Sequence, residues 1–220
     1  KTVAALVNVE HAVAVSSGTA TLHLALLSLG IGQGDEVVVP AFSFIATANV
    51  VELVGARPVF VDISPDSFNI DPDRIEAAVT PSTKAIMPVH EFGYPAEMDK
   101  IVEIANAHNV PVIEDAACAL GSEWKGLKVG AWGMVGSFSL HPRKAVTSGE
   151  GGLLTTNDSK LATFFRIMRN HGIDNASGAT DFVNAGFNYR MTDIQAALVV
   201  GQIERLETII AKRNAIVDHY

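Results

Sequence analysis

Four clusters of residues in this chain combine side-chain types that do chemistry. The first, Ser16-Ser17-Gly18-Thr19, sits at a strand-to-helix junction, where free amides and the positive end of a helix suit a phosphate. A serine there is equally an ordinary helix cap. The cluster lacks the Walker lysine and the G-x-G-x-x-G spacing, which argues against nucleoside triphosphates and dinucleotides. In the second, Pro40-Ala41-Phe42-Ser43-Phe44, one aromatic could stack on a planar ring; Phe42 reads more readily as core than Phe44, which opens the next helix. The third, Glu114-Asp115, ends an apolar strand, and a carboxylate there costs desolvation unless a cation or hydrogen-bond donor meets it. An aspartate at a strand end can also simply cap a turn. The fourth runs from Ser139 through His141-Pro142-Arg143-Lys144 to Ser148-Gly149-Glu150-Gly151-Gly152. A lone lysine is ordinarily a solvated charge, but this one is flanked by a rigid proline and by glycines that permit close backbone approach. A lysine held in a pocket can lose its proton and attack a carbonyl.

These clusters follow short, β-branched-rich runs: Ala12 to Val15, Glu36 to Val39, Pro58 to Asp62, Ala85 to His90, Pro111 to Asp115, Gly136 to Leu140 and Gly152 to Thr156, which predict seven strands. Helical patterns lie between most of them, at Thr19 to Leu29, Phe44 to Val54 and Met98 to His108, then at Lys160 to Asn170 and from Asp193 to about Tyr220. The polar stretch 172–178 reads as an exposed loop. Strands alternating with helices predict an α/β fold, a three-layer α/β/α arrangement around a mostly parallel seven-stranded sheet, and ligands gather at the carboxyl ends of such strands. Strands six and seven lack an intervening helix, so the connection from His141 to Gly151 is the anomalous one, and such loops tend to carry function.

Composition narrows the field. The chain has 220 residues, 24 acidic against 16 basic, for a net charge of −8, which disfavours a general grip on nucleic acid. Hydrophobic residues make up 48% and charged residues 18%, enough apolar surface for a core and too little charge for disorder. One cysteine, Cys118, excludes an internal disulfide and any Cys-rich zinc fold; no metal site is expected. No apolar run is long enough to span a membrane and the first residues do not form a secretory signal, so a cytoplasmic protein is expected. The start at Lys1 and the stop at Tyr220 inside a helical pattern suggest a piece of a longer protein: residues 1–200 as a cofactor domain, 201–220 as the start of a linker helix to a further small domain.

A phosphate cradle, an aromatic face, a strand-end aspartate and a sheltered lysine together meet the demands of pyridoxal 5′-phosphate (PLP). The lysine would hold its aldehyde as an imine, and the aspartate would keep the ring nitrogen protonated, because an adjacent anion favours the cation. Five strings then resemble the DegT/DnrJ/EryC1/StrS family of sugar aminotransferases, which are fold-type I PLP enzymes: Ser-Ser-Gly-Thr-Ala-Thr (16–21), the segment 39–49, Glu-Asp-Ala-Ala (114–117), Phe-Ser-Leu-His-Pro-Arg-Lys (138–144) with Gly-Glu-Gly-Gly (149–152), and Phe-Asn-Tyr-Arg-Met-Thr-Asp (187–193). The resemblance implies that Lys144 forms the cofactor linkage and moves the proton, that Asp115 binds the ring nitrogen, that the Gly18 and Thr19 amides and the Ser139 hydroxyl hold the phosphate, and that Phe44 stacks on the ring. It implies that Asn188 reaches the phosphate of a neighbouring subunit, hence a homodimer with shared active sites. Cys118 departs from the family, standing where members often have Gln or His at the cofactor's ring hydroxyl, a contact a thiol makes only weakly; a small buried residue with a bridging water is the alternative. His141 either contacts substrate or orders its loop. Lys144 favours transamination over the dehydratase branch, whose members carry His at that position. The implied activity moves an amino group from an amino acid, expected to be L-glutamate, to a keto group of a nucleotide-linked sugar in amino-sugar biosynthesis. The alternatives are a PLP-binding regulator without turnover and an aminotransferase for a non-nucleotide cyclic ketone.

Overall fold

In the computed structural model, which describes residues 1–219, Val37, Val38 and Val39 are all fully shielded from solvent, yet their side chains do not share one core. Val37 and Val39 join one cluster and Val38 another, as successive side chains of a strand must when both faces of a sheet are covered. The elements run α1 (Thr2–Val7), β1 (His11–Val15), α2 (Gly18–Ser28), β2 (Glu36–Pro40), α3 (Ala46–Leu53), β3 (Arg57–Val61), α4 (Pro72–Ala78), β4 (Thr83–Ile86), α5 (Met98–Ala107), β5 (Ile113–Asp115), β6 (Glu123–Trp124), β7 (Leu127–Lys128), β8 (Val135–Ser139), β9 (Gly152–Thr156), α6 (Ser159–Met168), β10 (Ile173–Asp174), β11 (Asp181–Phe182), α7 (Asp193–Ile203) and α8 (Leu206–Val217).

A three-stranded ladder β3-β2-β4 and a four-stranded ladder β5-β8-β9-β1 are joined by parallel bridges, Ile86 to Val112 and Val89 to Asp115, into the expected seven-stranded sheet. β9 alone runs against its neighbours, pairing antiparallel with both β8 and β1. That reversal explains the missing helix: two antiparallel neighbours need only a loop between them, whereas parallel ones need a crossover. Helices α2, α3 and α6 cover one face through Leu22, Leu26, Val50, Val51 and Phe165. The other face is shared by α4 and α5, through Ile75 and Ile101, and by α1, α7 and α8, through Val7, Ile203 and Leu206. The three-layer α/β/α architecture is the one the sequence predicts.

Several boundaries differ from expectation. The fourth strand ladder ends at Ile86 rather than His90, although the Val89 bridge carries the pairing on. The helix expected from Phe44 begins at Ala46. Helix α4, whose signal is Asp71 as cap and Pro72 in the first turn, is not among the predicted elements. The single helix expected from Asp193 breaks at Glu204–Arg205, and the turn drops Leu206 and Ile210 onto Gly121, which has no Cβ to obstruct them. The expected division at residue 200 falls inside α7, and Tyr220, the last residue of the segment 201–220, lies outside the described residues. Within the polar stretch 172–178, Ile173–Asp174 pairs with Asp181–Phe182 to form a small exposed hairpin.

Candidate active site

The carboxyl ends of the parallel strands bring the predicted clusters to one sheet edge. Helix α2 begins there with Ser17 in extended conformation as its cap, its hydroxyl accepting the Ala20 amide at 3.1 Å. Gly18 and Thr19 follow at the first two helical positions, where amides have no intrahelical partner. The serine is thus an ordinary cap and the opening of an anion-ready helix end at once. Thr21 ties the helix to Ser137 of β8. Two glycines let the helix end sink this deep. A Cβ on Gly152 would lie 2.3 Å from the Ser17 carbonyl oxygen, and one on Gly18 would lie 2.8 Å from the Ser139 Cβ and 3.2 Å from its hydroxyl. Gly18 therefore lies directly against Ser139, with no room for a side chain, and the first amides of α2 open beside the Ser139 hydroxyl.

Glu114 and Asp115 project from β5 to opposite faces. Glu114, fully buried, accepts the amides of Gly130 at 2.7 Å, Trp132 at 2.8 Å and Gly133 at 2.7 Å, together with His90 Nε2 at 3.2 Å. His90 Nδ1 accepts the Ala96 amide at 3.0 Å, so the ring is the Nε2–H tautomer. This carboxylate is a structural clasp. Asp115 accepts the Thr47 hydroxyl at 2.9 Å and the Ala117 amide at 3.2 Å. Burial outweighs those two hydrogen bonds and pushes its carboxyl above the ordinary aspartate range. A cation beside it would reverse that.

Lys144 is half-buried in the loop between β8 and β9, which Leu140 closes by donating its amide to the Gly151 carbonyl at 2.8 Å. Its Nζ donates to Cys118 Sγ at 2.9 Å, three residues past Asp115. Cys118 is exposed, which corrects the alternative of a small buried residue. His141 accepts the Arg143 amide at 3.3 Å and has Glu150 at 3.8 Å, contacts that order the loop. Phe44 is 67% exposed, one turn ahead of the Thr47 that holds Asp115. Phe42 is the more sheltered of the two aromatics, as expected, but at 43% exposed it packs on two other exposed rings and not in the core. Asn188 lies apart on an exposed position, bridged to Asn170; among the described residues its side chain meets neither Lys144, Asp115 nor Ser139.

Some participants escaped the sequence reading. Thr47 is one. Gln195 and Gln202 are two more: Gln195 donates to the Glu150 carbonyl at 3.0 Å, and Gln202 both accepts from and donates to the Thr147 backbone, at 3.1 and 2.7 Å. Seven residues apart on one helix, they share a face of α7, which is the signal that marks them. Glu91, 8% exposed, is a fourth; burial first, then the charge of Asp115, pushes its carboxyl up against the pull of Lys144.

The donor set fits PLP: helix-end amides beside a serine hydroxyl for a phosphate, a buried carboxylate that a cation would favour, and an amine on the turn that leaves that carboxylate. Comparison with known proteins gives consistent findings. The model of the DegT/DnrJ/EryC1/StrS aminotransferase family matches residues 1–220. The GDP-perosamine synthase of Caulobacter vibrioides is 49% identical over 212 residues, 96% of this chain and 57% of that protein. S. venezuelae DesV in complex with a ketimine intermediate superposes with a TM-score of 0.89 at 40% identity, over 94% of this chain and 55% of that one. The PLP form of Spr1654 of Streptococcus pneumoniae, assigned as a sugar aminotransferase, gives 0.91 at 33% identity, over 98% and 60%. The chain thus spans little more than half the length of these relatives.

Proposed function

The chain belongs to the DegT/DnrJ/EryC1/StrS aminotransferase family, and from that premise we propose that it carries the cofactor domain of a PLP-dependent aminotransferase. The enzyme moves an amino group from L-glutamate to a keto group of a nucleotide-linked sugar, in amino-sugar biosynthesis. The observation that carries this reading is the placement of the Lys144 amine against Cys118, on the turn that leaves Asp115, at the sheet edge where α2 opens its amides beside Ser139. The relative named for GDP-perosamine supports a nucleotide-linked acceptor. Nucleotide-linked sugars and glutamate are cytoplasmic metabolites, and the reading puts the enzyme there; among the described residues no helix is long and apolar enough to cross a membrane.

Bound here, PLP supplies an electron sink for the carbon that loses its proton. The chain's residues do the rest. Lys144 would hold the cofactor's aldehyde and, with its amine freed, would take the proton lost from the donor's α-carbon and later deliver one to the acceptor carbon that gains the amino group. Asp115, whose carboxyl burial pushes up, would pair with the ring nitrogen and keep it cationic, with Thr47 fixing which way the carboxylate faces. The amides of Gly18 and Thr19 and the hydroxyl of Ser139 hold the phosphate. Phe44 would stack on the ring, and Cys118, which Lys144 reaches, would meet the ring hydroxyl only weakly. The exposed Asn188 is free to serve a second copy's phosphate, so the working unit is a homodimer. In this reading residues 1–200 belong to the cofactor domain and 201–220 lead on towards a small domain.

The full-length protein should show a visible absorption band with PLP that changes on adding L-glutamate, with release of 2-oxoglutarate. Lys144→Ala should abolish both the band and the response. A protein that stays colourless with excess cofactor would overturn the reading; one that takes up cofactor yet releases no 2-oxoglutarate with any keto-sugar would be the regulator instead.

A further inference from the structure

Three phenylalanines gather where three adjacent strands end: Phe42 just after β2, Phe68 in the loop after β3, and Phe92 in the turn after β4. Their ring centroids lie 5.6 Å (Phe42–Phe68), 6.1 Å (Phe42–Phe92) and 6.0 Å (Phe68–Phe92) apart, in tilted or edge-on contact. All are exposed, at 43%, 44% and 73%. Phe68 and Phe92 also have left-handed backbones, φ +60° and +54°, which a bulky residue adopts only where the surroundings impose it. The imposing group is Asn69. Buried to 3%, its side-chain oxygen accepts the Glu91 amide at 2.8 Å and its nitrogen donates to the Tyr94 carbonyl at 3.0 Å, so one amide clamps both sides of Phe92 to the residue after Phe68. The platform is preorganised. It also adjoins the site: His90 donates its amide to the Asp115 carbonyl at 3.0 Å, and a Cβ on Gly93 would stand 3.0 Å from the Cys118 carbonyl oxygen.

We propose that Phe42, Phe68 and Phe92 form the subsite on which the base of the nucleotide-linked substrate stacks. The inference rests on the proposed function, which supplies a ligand with a reactive keto-sugar at one end and a planar heterocycle at the other. Exposed rings on clamped loops that adjoin the Asp115–Cys118 turn provide what that heterocycle needs: flat apolar faces on a backbone already ordered. Stacking is tolerant of base identity, so this subsite secures the nucleotide as a class.

The test uses full-length holoenzyme. Calorimetric titration with GDP, UDP and inorganic pyrophosphate should show both nucleotides binding tighter than pyrophosphate. Phe42→Ala, Phe68→Ala and Phe92→Ala should each weaken the nucleotides by about 5- to 100-fold and leave pyrophosphate unchanged. Phe92→Tyr should retain wild-type affinity, whereas Phe92→Leu, apolar but not flat, should not. The glutamate-driven spectral change should be untouched in every variant, which separates this proposal from the reading beneath it: an enzyme without that change fails as an aminotransferase whatever its nucleotide affinity. The subsite is overturned if the alanine variants bind GDP and UDP as wild type does, if wild type prefers pyrophosphate, or if the variants instead turn a dimer into monomers in sedimentation, which would assign the rings to a subunit contact.

Discussion

Glu114 and Asp115 are neighbours in the chain, both carboxylates and both buried, yet what surrounds them separates their roles. Glu114 has four donors and no access to the site, so its charge holds the 130–133 loop in place. Asp115 has two donors, and its pKa stands above the ordinary value because burial dominates. An acid whose folded pKa is raised binds its proton more readily when folded than when unfolded, so ionising it costs stability as pH rises through and beyond the ordinary aspartate range. In the cofactor-free protein, Asp115→Asn should therefore raise the melting temperature at pH 7, and the gain should shrink as pH falls through the acid range where wild-type Asp115 takes up its proton. The amide keeps an acceptor for the Ala117 amide and a donor for Thr47, which can turn its hydroxyl to Ser43, 2.9 Å away. With cofactor present the order should reverse, since the variant loses the charge that holds the ring nitrogen. Thermal melts with and without PLP across pH check both signs; a variant less stable than wild type without cofactor at pH 7 would show that the carboxylate is stabilising there.

Among elements, the helix end and the lysine loop depend on absent side chains and on a remote helix. Gly152 admits the Ser17 carbonyl to a distance no Cβ would allow, and what it touches is backbone, which cannot swing away. Gly152→Ala should lift the start of α2 off the sheet, destabilise the fold by about 1–3 kcal/mol, and weaken PLP more than it weakens pyridoxal, which lacks the phosphate. Equal losses for both would mean that the helix end does not hold the phosphate. This dependence shows how far the sequence was legible. The glycine cluster near Lys144 announced a close approach without saying of what, because its partner, Ser17, lies more than a hundred residues away. The lysine loop stood out because it lacked a helix, a local property, whereas the clasp of Gln195 and Gln202 on that loop requires knowing that α7 crosses it. Phe42 is more sheltered than Phe44, as its place after a buried strand predicts, but its packing on Phe68 and Phe92 depends on converging loops that no local signal shows.

Taken whole, the molecule carries a net charge of −8 and is nonetheless read as holding a dianion, which is possible only if the grip is short-ranged. The proposed cradle contains amides and a hydroxyl and no cation, so binding releases few counterions. The affinity for PLP should change less than about 2-fold between about 50 and 200 mM salt, in contrast to the steep losses of proteins that bind phosphates with lysine and arginine; a steep decline would point to cationic partners in the cradle. The reversed strand β9 has a consequence in time as well as in space. β1 is made before every other strand of this sheet, and among the described residues its sole partner in the sheet is β9, with His11 opposite Thr156. At ordinary rates of synthesis that partner emerges on the order of ten seconds later, and until then β1 has no strand to pair with. Pairing over so long a separation is slow to close. The insertion that completes the sheet also brings Gly152 beneath Ser17 and ties off the lysine loop, so the sheet's last strand and the proposed phosphate cradle are set in the same event.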